Sequence, residues 1–185
     1  KILIIGGGYS AIKHKEAILS FLAKNEKDLC IIHASSKNAL AYKPANNKQY
    51  FCLLGNEGIR LEKVFSNTLE FKGDCVLPPY PRKMGTYVPS SVKTNTYELE
   101  EVEFTNLVED SHTAIAIQTA LNLGGSKIYL AGYDGYSGLS IAKKDQELFL
   151  ENSKLFIDVS LRLDLTFIVP SNYNNILSES VYSLI

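Results

Sequence analysis

A doubly wound, mostly parallel, three-layer α/β sheet is the fold this sequence predicts, and three observations predict it. Short apolar runs bounded by turn residues recur along the chain, and segments with helical spacing lie between them. The first run breaks into three consecutive glycines and then at once into a helix-like pattern. Runs of four or five Ile, Val, Leu and aromatic residues read as strands buried on both faces, and their alternation with helices reads as parallel crossover units.

In chain order, strands are expected at 2–5, 29–33, 50–54, 75–77, 127–131 and 165–169, with helices at 10–24, 57–65, 112–123 and 145–163. The rhythm breaks at LPPYPRKMGTYVPSS, where prolines forbid regular helix and favour an irregular loop at about 78–100. The alternating stretch ELEEVEFTNLVE that follows suggests a half-exposed edge strand. Asp110 and Ser111 are both good caps for the helix that starts at His112, and Ala114, Ala116 and Ala120 let that helix lie close to a sheet.

The 185 residues suit one domain spanning 1–185. With 45% hydrophobic and 21% charged residues, and a formal net charge of -1, the chain has no global field to hold a nucleic acid or an acidic membrane surface. No apolar stretch approaches the length of a membrane span. Cys30, Cys52 and Cys75 sit in apolar runs without metal spacing, which implies reduced thiols and a cytoplasmic setting. No H-E-x-x-H or similar pattern points to a metal centre. The chain starts at Lys1, so a trimmed protein or a domain cut from a longer chain is expected.

In a parallel sheet, ligands bind beyond the carboxyl ends of the strands, where helix N-termini present free N–H groups. Gly6, Gly7 and Gly8 belong at that edge, and without Cβ atoms they let an anion approach the peptide. Ser10 is a candidate N-cap whose hydroxyl serves either the helix or the ligand. The alternative is a tight strand-to-helix turn and nothing more. Gly6, Gly8 and Ala11 fit G-x-G-x-x-A, but the second strand ends HASSKN, with no acid to hold the ribose of NAD.

Beyond the strand KIYLA, Asp134 is the carboxylate expected to serve a ribose or sugar hydroxyl, Mg²⁺, or simply its own turn. His112 is a candidate general base or surface residue. His33 and Ser35, at the end of the second strand, are candidates to meet a base or ribose, while His14 looks solvated. Arg82 and Lys83 are candidates to fold over a phosphate as a lid, with Tyr80 or Tyr87 stacking on a base.

The stretch IIGGGYS resembles the G-x-G-P-S turn of bacterial Rossmann-like domains, among them the family-42 sialyltransferases, the MptE-like pterin diphosphokinases and their motility accessory relatives. TALNLGGSKIYLAGYDGY resembles their later helix, strand and G-x-D loop. That resemblance implies a nucleotide held by Gly6, Gly7, Gly8, Ser10 and Asp134; Mg²⁺ beside the nucleotide is a separate expectation. KILIIGGGYSAIKHKEAI and PSNYNNILSESVYSLI resemble a domain at the C-terminal side of HMG-CoA-lyase-like aldolases of surface-polysaccharide clusters. This second resemblance implies an upstream aldolase barrel as a partner, with the lyase chemistry outside the present chain, and leaves room for a homo-oligomer. Two departures stand out: Tyr9 replaces the usual proline, and no histidine follows His112 to act as the sialyltransferase base.

Three functions therefore stay open. The first is a nucleotide- or phosphate-binding domain accessory to an aldolase. The others are a free-standing glycosyl or diphosphate transferase, with Asp134 holding metal and His112 as base, and a ligand-free interaction domain.

Overall fold

The computed structural model describes residues 1–65, 72–82, 84–106, 111–136 and 142–185, the side chains of residues 93 and 94 excepted. Lys83 and Asp110, the lid cation and the first candidate cap, lie outside these residues.

Among the described residues eight strands form one sheet, and every pairing is parallel. They are β1 (Ile2–Ile5), β2 (Cys30–His33), β3 (Gln49–Cys52), β4 (Asp74–Leu77), β5 (Thr96–Glu98), β6 (Lys127–Ala131), β7 (Asp164–Phe167) and β8 (Leu177–Ser178). Their spatial order is β5-β4-β3-β2-β1-β6-β7-β8. The chain thus starts in the middle, walks outward to β5, returns to lay β6 beside β1, and walks out the other way. The α/β, doubly wound, Rossmann-like expectation holds.

Strand β1 shows why the sheet needs a layer on each side. Ile2 and Ile4 join one core with Ile32, Cys52, Ile128 and Leu130. Leu3 and Ile5, pointing the other way, join a second core with Ile31, Tyr129 and Ala131. Helices α4 (His112–Asn122) and α5 (Lys143–Ser160) cover the first face. Helix α2 (Lys15–Lys24) covers the second through Ala17, Ile18, Phe21 and Leu22. Residues Thr113 to Ala120 of α4 are all buried, and their small alanines allow the close approach to the sheet.

The expected helix at 10–24 is interrupted at His14, giving α1 (Ser10–Lys13) before α2. Helix α3 (Glu57–Phe65) matches its expected bounds. The edge strand arrives earlier and shorter than the alternation suggested, as β5, and residues 107–109 of that stretch are outside the described set. A 3-10 turn at Ser36–Tyr42 and the two-residue strand β8 carry no periodicity long enough to read in the sequence. Among the described residues, no helix is long and apolar enough to cross a membrane.

Candidate functional site

The point where the strand order reverses lies between β1 and β6, and the loops beyond their carboxyl ends enclose a cleft of about 550 Å³. That volume suits a small-molecule ligand, and a switch point is where such a sheet leaves room for one.

The glycine loop forms one wall, and its own chain uses most of it. Gly6 N donates to Ala131 O and Gly8 N to Gly132 O, each at 2.8 Å, so the β1–β6 pairing continues past the strands. Asn38 Nδ2 donates to the Gly6 and Gly8 carbonyls at 3.0 and 2.9 Å. A Cβ on Gly6 would stand 2.5 Å from Gly132 O, so this glycine is needed for the close approach of two loops. The amides of Gly6 and Gly8 are therefore not open to an anion, contrary to the expectation for the whole triplet. All three glycines line the cleft, but Gly7 differs in its amide, whose N–H meets no acceptor among the described residues.

Asp134 and Ser10 come together as expected, but on each other. Ser10 N donates to Asp134 Oδ1 and Oδ2 at 3.2 and 3.0 Å, and the Ser10 hydroxyl donates to Oδ1. Tyr9, and not Ser10, is the N-cap residue of α1. The carboxylate thus sits at the head of α1, where a phosphate was expected, and satisfies an N–H that the helix leaves free. Asp134 still borders the cleft.

Ser35 and His112 also border the cleft, and a residue not singled out from the sequence joins them. Glu57, the first residue of α3, is buried, and its Oε2 accepts from Ser36 N at 2.6 Å. Its Oε1 accepts from Ser35 Oγ at 3.3 Å, pairs with Arg60, and lies 3.7 Å from His112 Nε2. An acid placed just beyond the carboxyl end of β3, in NEG at a helix start, was the legible sign. Ser111 caps α4 as expected, accepting from Ala114 N at 3.4 Å, and so sets His112 at the cleft. Burial lowers the pKa of His112, while the Glu57 charge and a backbone hydrogen bond at Leu54 oppose that fall.

His33 does not reach the cleft. It is fully buried, stacked on Phe51 at 4.5 Å, with Nε2 2.8 Å from Gln49 Oε1. Because the Gln49 amide nitrogen donates to Tyr42 O and Ala45 O, its oxygen is the acceptor and His33 Nε2 carries the proton. Among the described residues His33 Nδ1 is left without a partner, and burial lowers the ring's pKa to about 4. The residue is a neutral core group. The lid cation Arg82 is likewise turned elsewhere, to Glu98 and the Pro78 carbonyl, and Tyr87 donates to Glu62 at 3.2 Å. Among the described residues of that loop, Met84 reaches the cleft.

Among the described residues the cleft carries three cations, on Lys37, Arg60 and Lys144, and two carboxylates, both engaged by their own chain. Among the described residues, no three His, Cys, Asp or Glu side chains gather as a metal site. With Asp134 on Ser10 and Glu57 on Ser36 and Arg60, the residues present do not form a magnesium site of their own.

These features define a Rossmann-like α/β domain with a cleft at its switch point. No protein-family model and no curated protein matches the chain. Among solved structures it is similar to the MAf glycosyltransferase from Magnetospirillum magneticum AMB-1, with a TM-score of 0.67 and 14% sequence identity. The similarity covers 100% of this chain and 34% of that one, so the chain spans about a third of the neighbour's length. At that identity the likeness shows the fold. It lends no support to the aldolase-associated resemblance.

Proposed function

We propose that the cleft binds the phosphate of a nucleotide and that the chain is the nucleotide-binding unit of a transferase, with glycosyl transfer as the reaction class. The observation that carries this reading is the wall around Gly7. Its unengaged amide, the Ser35 hydroxyl and the Lys37 side chain are grouped there, since a Cβ on Gly7 would lie 3.4 Å from Ser35 Oγ and 3.7 Å from Lys37 Cδ. Arg60 joins them, donating to Ser35 Oγ at 3.3 Å. One open N–H and two cations on one wall suit a phosphate. That the structural neighbour is a glycosyltransferase supports the transferase class over an aldolase accessory.

For transfer to a hydroxyl, His112 is the base we assign. Burial keeps its imidazole neutral near neutral pH, and a neutral imidazole can accept a proton. Asp134 would then act by holding the head of α1 in place.

Calorimetry with pyrophosphate and a panel of nucleotides and nucleotide-sugars tests the reading. Gly7→Asp places a carboxylate on the phosphate wall where a Cβ has room, and should weaken binding by about tenfold or more through like-charge repulsion. Gly7→Ala, lacking the charge, should retain most of the affinity. Unchanged affinity in Gly7→Asp, or a panel that does not bind at all, overturns the assignment.

A further inference from the structure

The inner end of the cleft has a chemistry unlike its cationic wall. Thr113, Tyr133, Asn152 and Tyr173 line it, all four are buried, and none carries a charge. Thr113 Oγ1 donates to Asn152 Oδ1 at 2.6 Å, and Asn152 Nδ2 donates to the Tyr173 hydroxyl at 3.2 Å. That chain of bonds leaves capacity unspent. Tyr173 accepts but its own proton meets no acceptor among the described residues, Asn152 keeps a second N–H, and the Tyr133 hydroxyl, close to Thr113, has no well-formed partner.

Helix α5 gives the cleft a direction. Lys144, Leu148 and Asn152 follow at intervals of four along one face and pass from exposed, through 39% exposed, to buried. Helical rise places the first and last about 12 Å apart along the axis. A cation thus stands at the mouth and an amide at the floor. The floor is also rigid: the Tyr173 ring stacks on Phe149 at 4.6 Å and meets Phe156 edge-on at 5.2 Å. Burial pushes the Tyr173 pKa up to about 12, so its hydroxyl remains a donor at neutral pH.

We infer that the Thr113, Asn152 and Tyr173 floor is a subsite for an uncharged sugar ring, while the phosphates stay on the Gly7, Lys37 and Arg60 wall. This rests on the nucleotide reading above and assigns the ends of that ligand. A phosphate at the floor would be a buried anion with no cation of the described residues beside it, and an apolar group would leave donors unpaired. A ring bearing vicinal hydroxyls both donates and accepts, which is what an amide flanked by two hydroxyls can match. Two sugars have that chemistry, the ribose of the nucleotide and a transferred sugar.

The test is calorimetry on the whole chain with pyrophosphate, nucleoside diphosphates and nucleotide-sugars, in the wild type and in Tyr173→Phe, Thr113→Val and Thr113→Ser. Tyr173→Phe and Thr113→Val should each weaken sugar-bearing ligands by about tenfold while leaving pyrophosphate within about twofold. Thr113→Ser, which keeps the hydroxyl, should bind as the wild type does. A loss already present with diphosphates identifies the ribose; a loss confined to nucleotide-sugars identifies the transferred sugar. Thermal melts of each variant separate a lost contact from a lost fold. Nucleotides that bind normally and ignore the floor variants overturn this inference alone, as do floor variants that weaken pyrophosphate equally. A wild type that binds pyrophosphate but no nucleotide, or binds no probe, overturns both this and the nucleotide reading.

Discussion

At Gly8 an added Cβ would stand 2.6 Å from both Asp134 Oδ1 and the Gly132 carbonyl oxygen, whereas at Gly7 the nearest atom, Ser35 Oγ, is 3.4 Å away. Neighbouring glycines thus answer to different demands. Gly6 and Gly8 let the loop after β1 touch the loop after β6, and the guest seated closest to that backbone is the protein's own Asp134. Of the three, Gly7 is the one with room for a Cβ and with an amide that meets no acceptor among the described residues. Gly8→Ala should therefore cost about 1–3 kcal/mol, as overpacking against rigid backbone does, and Gly7→Ala less than about 0.5 kcal/mol. Urea unfolding of the two variants checks this, and equal midpoints would show that the loops are not in the tight contact described.

The seam between β2 and β3 makes a second, pH-dependent demand. His33 pairs with Phe51 in register, stacks on it, and is bonded to Gln49 from the same strand. Its folded pKa of about 4 lies below the ordinary value of 6.5. Above pH 6.5 the ring is neutral in both states and costs nothing. As the pH falls from 6.5 toward 4, the unfolded chain takes up a proton that the native seam refuses, so stability is lost at about 1.4 kcal/mol per pH step, on the order of 3 kcal/mol in all. His33→Phe keeps a ring in the seam and cannot titrate, so its stability should fall less steeply over that window. Parallel slopes for the two proteins in urea titrations would remove His33 as the cause. The element scale also shows what was legible beforehand. Strands β1 and β6 and helix α3 match their expected bounds because each is a run bounded by glycine, charge or turn residues. The role of His33 was not legible, because a histidine closing a strand at the ligand edge looks the same whether its ring turns to the cleft or to Phe51. Nor was the partner of Ser10, since Asp134 lies 124 residues away and only the β1–β6 pairing brings them together. Glu57 was within reach: a carboxylate opening a helix after a central strand has few places to go but the ligand edge.

Across the whole molecule, the order β5-β4-β3-β2-β1-β6-β7-β8 puts β1 at the centre and the two short strands at the rims. All four residues of β1 are buried, while Tyr97 of β5 and Leu177 of β8 are 61% and 64% exposed. Short, exposed edge strands offer little for another sheet to pair with. The same gradient governs how the molecule opens. Amides of β1, β2 and β6 are covered by α4 on one face and by the α2 core on the other, so they should exchange only through global unfolding, whereas β5 and β8 can fray while the centre stays shut. The cleft lies on the rigid side of that gradient, since its back wall is the continuation of β1 and β6. Hydrogen exchange should accordingly rank Ile4, Ile32 and Leu130 slowest and Tyr97 and Ser178 among the fastest strand amides. A nucleotide at saturating concentration should slow the central amides by a factor of about 1 + [L]/Kd, because they report the global equilibrium, which ligand binding shifts by RT ln(1 + [L]/Kd). Edge amides, which exchange through local opening that leaves the cleft intact, should not respond. Central and edge strands slowing together would mean that the edges open only with the centre, and the sheet would then be a single cooperative unit from rim to rim.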